Sequence, residues 1–267
     1  METELALFQE LLQKVTFFDQ KLSFNSFLKK HGRKLALSLP LILSLALFKH
    51  IAQITTKKKL WEIMRPNCSY KTLVVNMNRF FHLALIILAL LLKNNRSNSH
   101  AVKHIDSTDI PVCSLRKAKH HRVMKALAHF GKTGKGWFYG LKLHIIADLE
   151  KRILAVKFTS GNTNDRNVVM ELAKDLLGFF VASAGYVSDS LAQEFYQEHG
   201  RFLLAKPRAN MKKLATSFSA WLYSTRMLIE LNFRNLKCFY GLISSLPRSV
   251  AGYLANYTYS LLAYCLG

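Results

Sequence analysis

Hydrophobic and polar positions along this chain change their period near residue 100. Before that point residues 4–14 repeat with helical spacing, Phe18 and residues 23–27 mark a break, and two long apolar runs follow at 35–48 and 80–92. Pro40 lies inside the first run, and Lys or His closes each. Both runs fall short of the roughly 20 apolar residues that span a bilayer, so they predict buried helices of a small all-helical domain and no membrane span. Residues 93–101, KNNRSNSHA, are polar and turn-rich, and they place the domain boundary, with a helical region at 1–98 and a second domain at 99–267.

Beyond the boundary the pattern becomes that of a mixed α/β layer. Val102 and Ile105 begin a strand that runs into Asp106, where Ser107, Thr108, Asp109 and Pro111 are expected to end it and set the carboxylate at a strand terminus. Residues 136–147 and 153–159 read as a hairpin joined by residues 148–151, with Gly140 marking a bulge or a close backbone approach. A helix is expected at 165–177, with Thr163, Asn164 or Asp165 as its cap. A short strand at 179–182, a helix at 188–198, a strand at 201–204 and terminal helices complete the order.

Charge narrows the choice of partner. Thirty-eight Lys and Arg residues against 16 acids give a formal charge of +22 and a pI near 10.0. That excess points to a polyanion, nucleic acid ahead of an anionic membrane surface. Cys68, Cys113, Cys238 and Cys265 have no metal-like spacing, and no signal peptide is evident, which together suggest a reduced, cytoplasmic protein. Adjacent His120 and His121 point different ways and make no zinc pair.

Three stretches carry candidate chemistry. Lys119 and Arg122 belong to a basic segment that follows Asp106 in sequence, and Arg208 lies in the basic turn KPRANMKK; both suit phosphate contacts. Lys57, Lys58, Lys59, Trp61, Arg65 and Lys71 could add a DNA-contacting surface in the helical region or form an ordinary solvated face. On a helix read from 222 to 238, Tyr223, Arg226, Glu230 and Lys237 share one broad face. Two readings fit them: a surface ion pair between Arg226 and Glu230, or a metal ligand at Glu230 with Arg226 and Lys237 holding phosphates.

These motifs, taken in order, resemble the DDE transposases of bacterial insertion sequences. The likeness rests on IDSTDIPVC around Asp106, GWFYGLKLH at 136–144, the GNTNDR turn, the Gly185–Tyr186 pair, LAKPRANMKK, and the spacing of Tyr223, Arg226, Glu230 and Lys237. It implies a ribonuclease H-like core and metal-dependent DNA strand cleavage and transfer, with Asp106 and Glu230 as first and third acids holding Mg2+ or Mn2+. It also implies double-stranded DNA bearing terminal repeats as substrate, and a homodimer that handles two ends. The pattern departs at the second acid, where Ser183 stands in the expected position. Asp109, Asp165, Asp175 and Asp189 are the neighbouring acids, and Asp165 is read equally as a helix cap or as a residue arranging the site. A serine hydroxyl lacks the charge to bridge two divalent ions. The implied enzyme is therefore one with weakened metal binding, or an inactive remnant that still binds DNA.

Overall fold

Ser38 and Pro40 decide where the first apolar run becomes a helix. Ser38 accepts a hydrogen bond from the Leu41 amide as N-cap, and Pro40 sits in the first turn, where a missing N–H costs nothing. The computed structural model describes residues 2–28, 34–207 and 216–267. In chain order they form helices α1 (Glu2–Leu22), α2 (Leu39–Ile51), α3 (Lys57–Met64), α4 (Tyr70–Arg79) and α5 (Phe81–Ser97). Next come strands β1 (Val102–Cys113), β2 (His129–Thr133), β3 (Gly136–Asp148) and β4 (Ile153–Ser160), then the single-turn helix α6 (Val169–Leu172). The chain closes with β5 (Phe179–Ala182), α7 (Asp189–His199), β6 (Phe202–Ala205), α8 (Ser217–Thr225), α9 (Met227–Cys238) and α10 (Val250–Leu266).

The chain divides into two units, residues 1–90 with 235–267, and residues 91–234. In the first, α2 and α10 are the buried helices, and the Tyr259 hydroxyl donates to the Met77 carbonyl at 2.9 Å. Phe18 does not interrupt α1, which continues to Leu22 before a short 3-10 turn at Phe24–Phe27. Among the described residues no single helix is long and apolar enough to cross a membrane; α4 and α5 reach that length only as a pair bent by 43°.

The second unit is built on a six-stranded sheet in the order β2-β3-β1-β5-β6, with β4 also paired to β3. β2 takes the Gly136–Gly140 end of β3 and β4 takes Leu141–Ala147, so both lie along one edge of β3. β1 is antiparallel to β3 and parallel to β5, and β5 is parallel to β6. Across the sheet, three antiparallel positions (β2 with β4, then β3, then β1) are followed by the two parallel strands β5 and β6, the ribonuclease H-like arrangement, an α/β fold with a mixed sheet flanked by helices. One face carries Ile105, Ile146, Leu154, Phe180 and Leu203 against Leu172, Leu191 and Phe195 of α6 and α7. On the other, Val102 and Val181 pack against Leu222 of α8.

The structure departs from several local expectations. β1 does not end at Asp106; it runs on to Cys113 and places Asp106 in mid-strand. Its parallel partner stops at the Ile105–Ala182 pair, so the residues after Ile105 keep pairing with β3 alone. A free edge tolerates the polar residues and a proline that lacks a donor. β2 was hidden in a polar, basic stretch. The helix expected at 165–177 is a 3-10 turn, Asp165–Val168, followed by α6, with Asn164 as the cap. α5 extends to Ser97, into the segment read as a turn. The segment 222–238 is two helices that meet at Arg226.

Gly140 settles its own alternative. A Cβ there would lie 2.1 Å from the Ile110 carbonyl oxygen, beside the register shift between Pro111 and Cys113. Gly140→Ala is therefore expected to destabilise the fold by about 3 kcal/mol or more, whereas Gly134→Ala, which meets nothing within 4 Å, is expected to be near neutral. Urea melts of the two variants check this, and equal midpoints would show that the β1–β3 approach is not tight.

Candidate functional site

The site grows from the mismatch in length between β1 and β5. Ile105 pairs with Ala182, the last residue of β5, so Asp106 and Ser183 are the next residues on neighbouring strands just past the parallel ladder. In sheets of this kind the carboxyl ends of parallel strands open a crevice that ligands use. Residue alternation then sorts the side chains. Val102, His104 and Asp106 share the face covered by α8, while Ile105 and Ser107 share the opposite one.

Arg226 links the two acids. Its Nη1 donates to Asp106 Oδ2 at 3.0 Å and its Nη2 to Glu230 Oε1 at 2.6 Å. Asp106 and Arg226 are largely buried, at 16% and 23% side-chain exposure, while Glu230 is 57% exposed. The pair with Glu230 alone would contribute about 0–1 kcal/mol. The pair with Asp106 matters more, since a buried carboxylate without a partner is costly. Asp106 Oδ1 also accepts from the Ser107 amide at 2.9 Å. Even so, burial pushes its pKa up to about 6; Asp165 and Glu230 add to the rise, and the Ser107 amide and Arg226 oppose it.

Asp165 and Asp175 have partners of their own. Asp165 receives Lys142 Nζ at 2.9 Å and lies 4.0 Å from His144 Nδ1. Lys142 and His144 face Asp109 and Ser107 across the β1–β3 ladder, so Asp165 contacts side chains of the sheet face opposite to Asp106. Asp175 pairs with Arg96 at 3.0 Å, and Asp189 begins α7. Thus Asp106 and Glu230 are brought together through Arg226 and Ser183 follows the neighbouring strand, while Asp165, close enough to raise the Asp106 carboxyl, is engaged by Lys142.

The phosphate candidates are placed less uniformly. Tyr223 is on α8, with its hydroxyl donating to the Ala205 carbonyl at 3.3 Å, so it faces β6. Lys237 lies in the last turn of α9, within the helical unit. Lys119, in the 3-10 turn Leu115–His120, and Arg122 are exposed. Arg208 and the residues of its basic turn from there to Lys213 lie outside the described residues.

Sequence reading gave no role to His104 or His144 and took Tyr186 only as half of the Gly185–Tyr186 pair. His104 Nε2 lies 2.8 Å from Thr225 Oγ1, and His144 Nε2 lies 2.8 Å from Thr159 Oγ1. Burial pushes each imidazole down to about 4, which keeps both neutral at pH 7. Burial, then Asp106 and Asp165, raise the Tyr186 phenol well above its usual range. The available signal was polar residues recurring inside otherwise apolar strands, which alternation places at defined sheet faces.

This donor set does not suit a pair of hard divalent ions. Magnesium prefers several oxygen ligands in near-octahedral order. Here Asp106 and Glu230 are already engaged by a guanidinium, Ser183 is neutral, and among the described residues no group of three or more His, Cys, Asp or Glu could hold a metal.

Protonation of Asp106 gives a test. Its folded-state pKa lies above the ordinary 3.8, so the folded chain binds the extra proton between 3.8 and about 6 and gains stability as pH falls through that window. Asp106→Asn is expected to be more stable than the parent above pH 6, by on the order of 2 kcal/mol, with the gap closing toward pH 4. Denaturant titrations across pH measure the gap, and a constant difference would contradict the burial of this carboxylate.

A comparison with curated proteins finds no match. Among solved structures, the "Crystal structure of the Mos1 mariner paired end complex with Mn" is similar at 10% identity and a TM-score of 0.27, covering 93% of this chain and 84% of that one, a likeness too slight to build on. The family described as Transposase DDE domain matches residues 96–249. That match takes in the sheet, Asp106, Ser183, Arg226 and Glu230, and covers more than half of the 267 residues, so the chain belongs to the transposase DDE domain family.

Proposed function

We propose that this chain is a catalytically inactive DNA-binding member of its family, descended from an insertion-sequence transposase. The observation that carries this reading is the guanidinium of Arg226 held between Asp106 and Glu230, with Ser183 where the family pattern expects an acid. A cation supplied by the chain satisfies the two carboxylates that a metal would need.

DNA remains the partner that the charge supports. A formal charge of +22 and the exposed Lys119 and Arg122 favour a sequence-independent phosphate contact. In this reading residues 1–98 form a helical region that adds DNA contacts, and residues 99–267 form the DDE domain, with Arg208 and Lys237 as further phosphate contacts. The protein acts in a reducing cytoplasm, where its cysteines stay free, and two copies meet on DNA carrying terminal repeats.

Duplex binding is expected to weaken steeply with salt, roughly 10³-fold or more between 50 and 200 mM if six or more phosphates are neutralised. Neither Mg2+ nor Mn2+ is expected to elicit nicking of end-containing duplex by the parent chain. Ser183→Asp restores the missing charge and is expected to give magnesium-dependent nicking, which Asp106→Ala in the same chain abolishes while leaving non-specific binding. Parent activity equal to that of S183D would sink the proposal, because another residue would then already complete the site.

A further inference from the structure

The helical unit holds a cavity of about 490 Å3 whose lining includes Lys49, Lys57, Lys58 and Arg248 and no acid. That volume lies within the roughly 300–1,000 Å3 range of small-ligand sites. Lys57 Nζ donates to Asn78 Oδ1 at 2.6 Å, a neutral acceptor, and among the described residues no carboxylate pairs with it. Lys58 has a distant, exposed partner in Glu62 at 3.9 Å. Lys49 and Lys57 are substantially buried, and burial pushes both ammonium groups down to about 8, with Lys49 adding to the effect on Lys57. Like charges gathered in a half-enclosed cavity without a carboxylate cost folding energy, and a bound anion would offset that cost.

The remaining lining fixes the kind of anion. Thr56 and Ser249, which also line the cavity, cap the N-termini of α3 and α10, so the amide ends of two helices add to the positive potential there. Tyr70, Val74, Leu246 and Pro247 supply a ring and apolar surface beside the cations. A purely inorganic anion would leave that surface unused, whereas a phosphate attached to a base and sugar would use both parts.

We infer that this cavity binds a phosphomonoester carried on a nucleoside, with the phosphate against Lys49, Lys57 and Arg248 and the base along Tyr70, Leu246 and Pro247. A terminal phosphate carries more charge than a backbone diester and can enter a half-closed pocket end-on. The same group occurs on a free nucleotide and at the 5′ end of a DNA strand. The inference overlaps the DNA-binding reading only in the contacts that residues 1–98 would add, since loss of this pocket leaves the charge of the sheet unit unchanged.

Calorimetric titration of the full chain with thymidine 5′-monophosphate, inorganic phosphate and thymidine tests the inference. The monophosphate is expected to bind most tightly and thymidine not at all. Lys57→Gln and Arg248→Gln are each expected to weaken the monophosphate about tenfold, and Arg248 is exposed enough for R248Q to leave the fold intact. A 5′-phosphorylated oligonucleotide preferred over its 5′-hydroxyl form, with the preference lost in R248Q, assigns the phosphate to a strand end; equal binding of the two forms assigns it to a free nucleotide. Thymidine binding as tightly as its monophosphate, or unchanged affinity in a folded R248Q, overturns the inference.

Discussion

Parallel pairing between β1 and β5 lasts only from Val102 to Ile105, and the rest of the sheet unit follows from where it stops. Before that point β1 is held on both sides and buried on both faces. After it, β1 is held by β3 alone, and the chain can carry Asp106, Ser107, Thr108, Asp109 and Pro111 without leaving the sheet. A fully paired strand would reject that proline and bury those polar groups at a cost. The site therefore lies at the change from two partners to one.

Charge at that point is balanced from within the chain. Asp106 is drawn out of water by the fold, and Arg226 repays part of the penalty through one hydrogen-bonded contact while its other nitrogen engages Glu230. Burial still dominates, as the elevated carboxyl of Asp106 shows. The exposed part of the basic surplus, Lys119 and Arg122 among it, is of another kind: it sits on solvated side chains, where salt screens it within about 10 Å. A compact buried pairing and a diffuse exposed field can thus be altered separately.

Much of the helical unit was legible because α2 and α5 are apolar for long stretches and their ends carry recognisable punctuation. The hairpin of β3 and β4 was equally legible, since both strands are rich in apolar and β-branched residues. What escaped was decided by pairing. The sequence from Ser107 to Pro111 has the composition of a turn and becomes a strand because β3 supplies hydrogen bonds. β2 is five mostly polar residues that persist by pairing with β3. At the site, the spacing of four between Arg226 and Glu230 made their contact readable. The reach from Arg226 to Asp106 crosses 120 residues of sequence and no local pattern encodes it.

Arg226 occupies the joint between α8 and α9, and that placement has a mechanical consequence. On one side, Leu222 and the Tyr223 hydroxyl anchor α8 to β5 and β6. On the other, Glu230 rides on α9. The guanidinium is thus carried by a pivot between two levers, one seated on the parallel strands and one bearing the exposed acid. The span between the two carboxylates is therefore set by the angle at which α8 and α9 meet, and by neither β1 nor α9 alone.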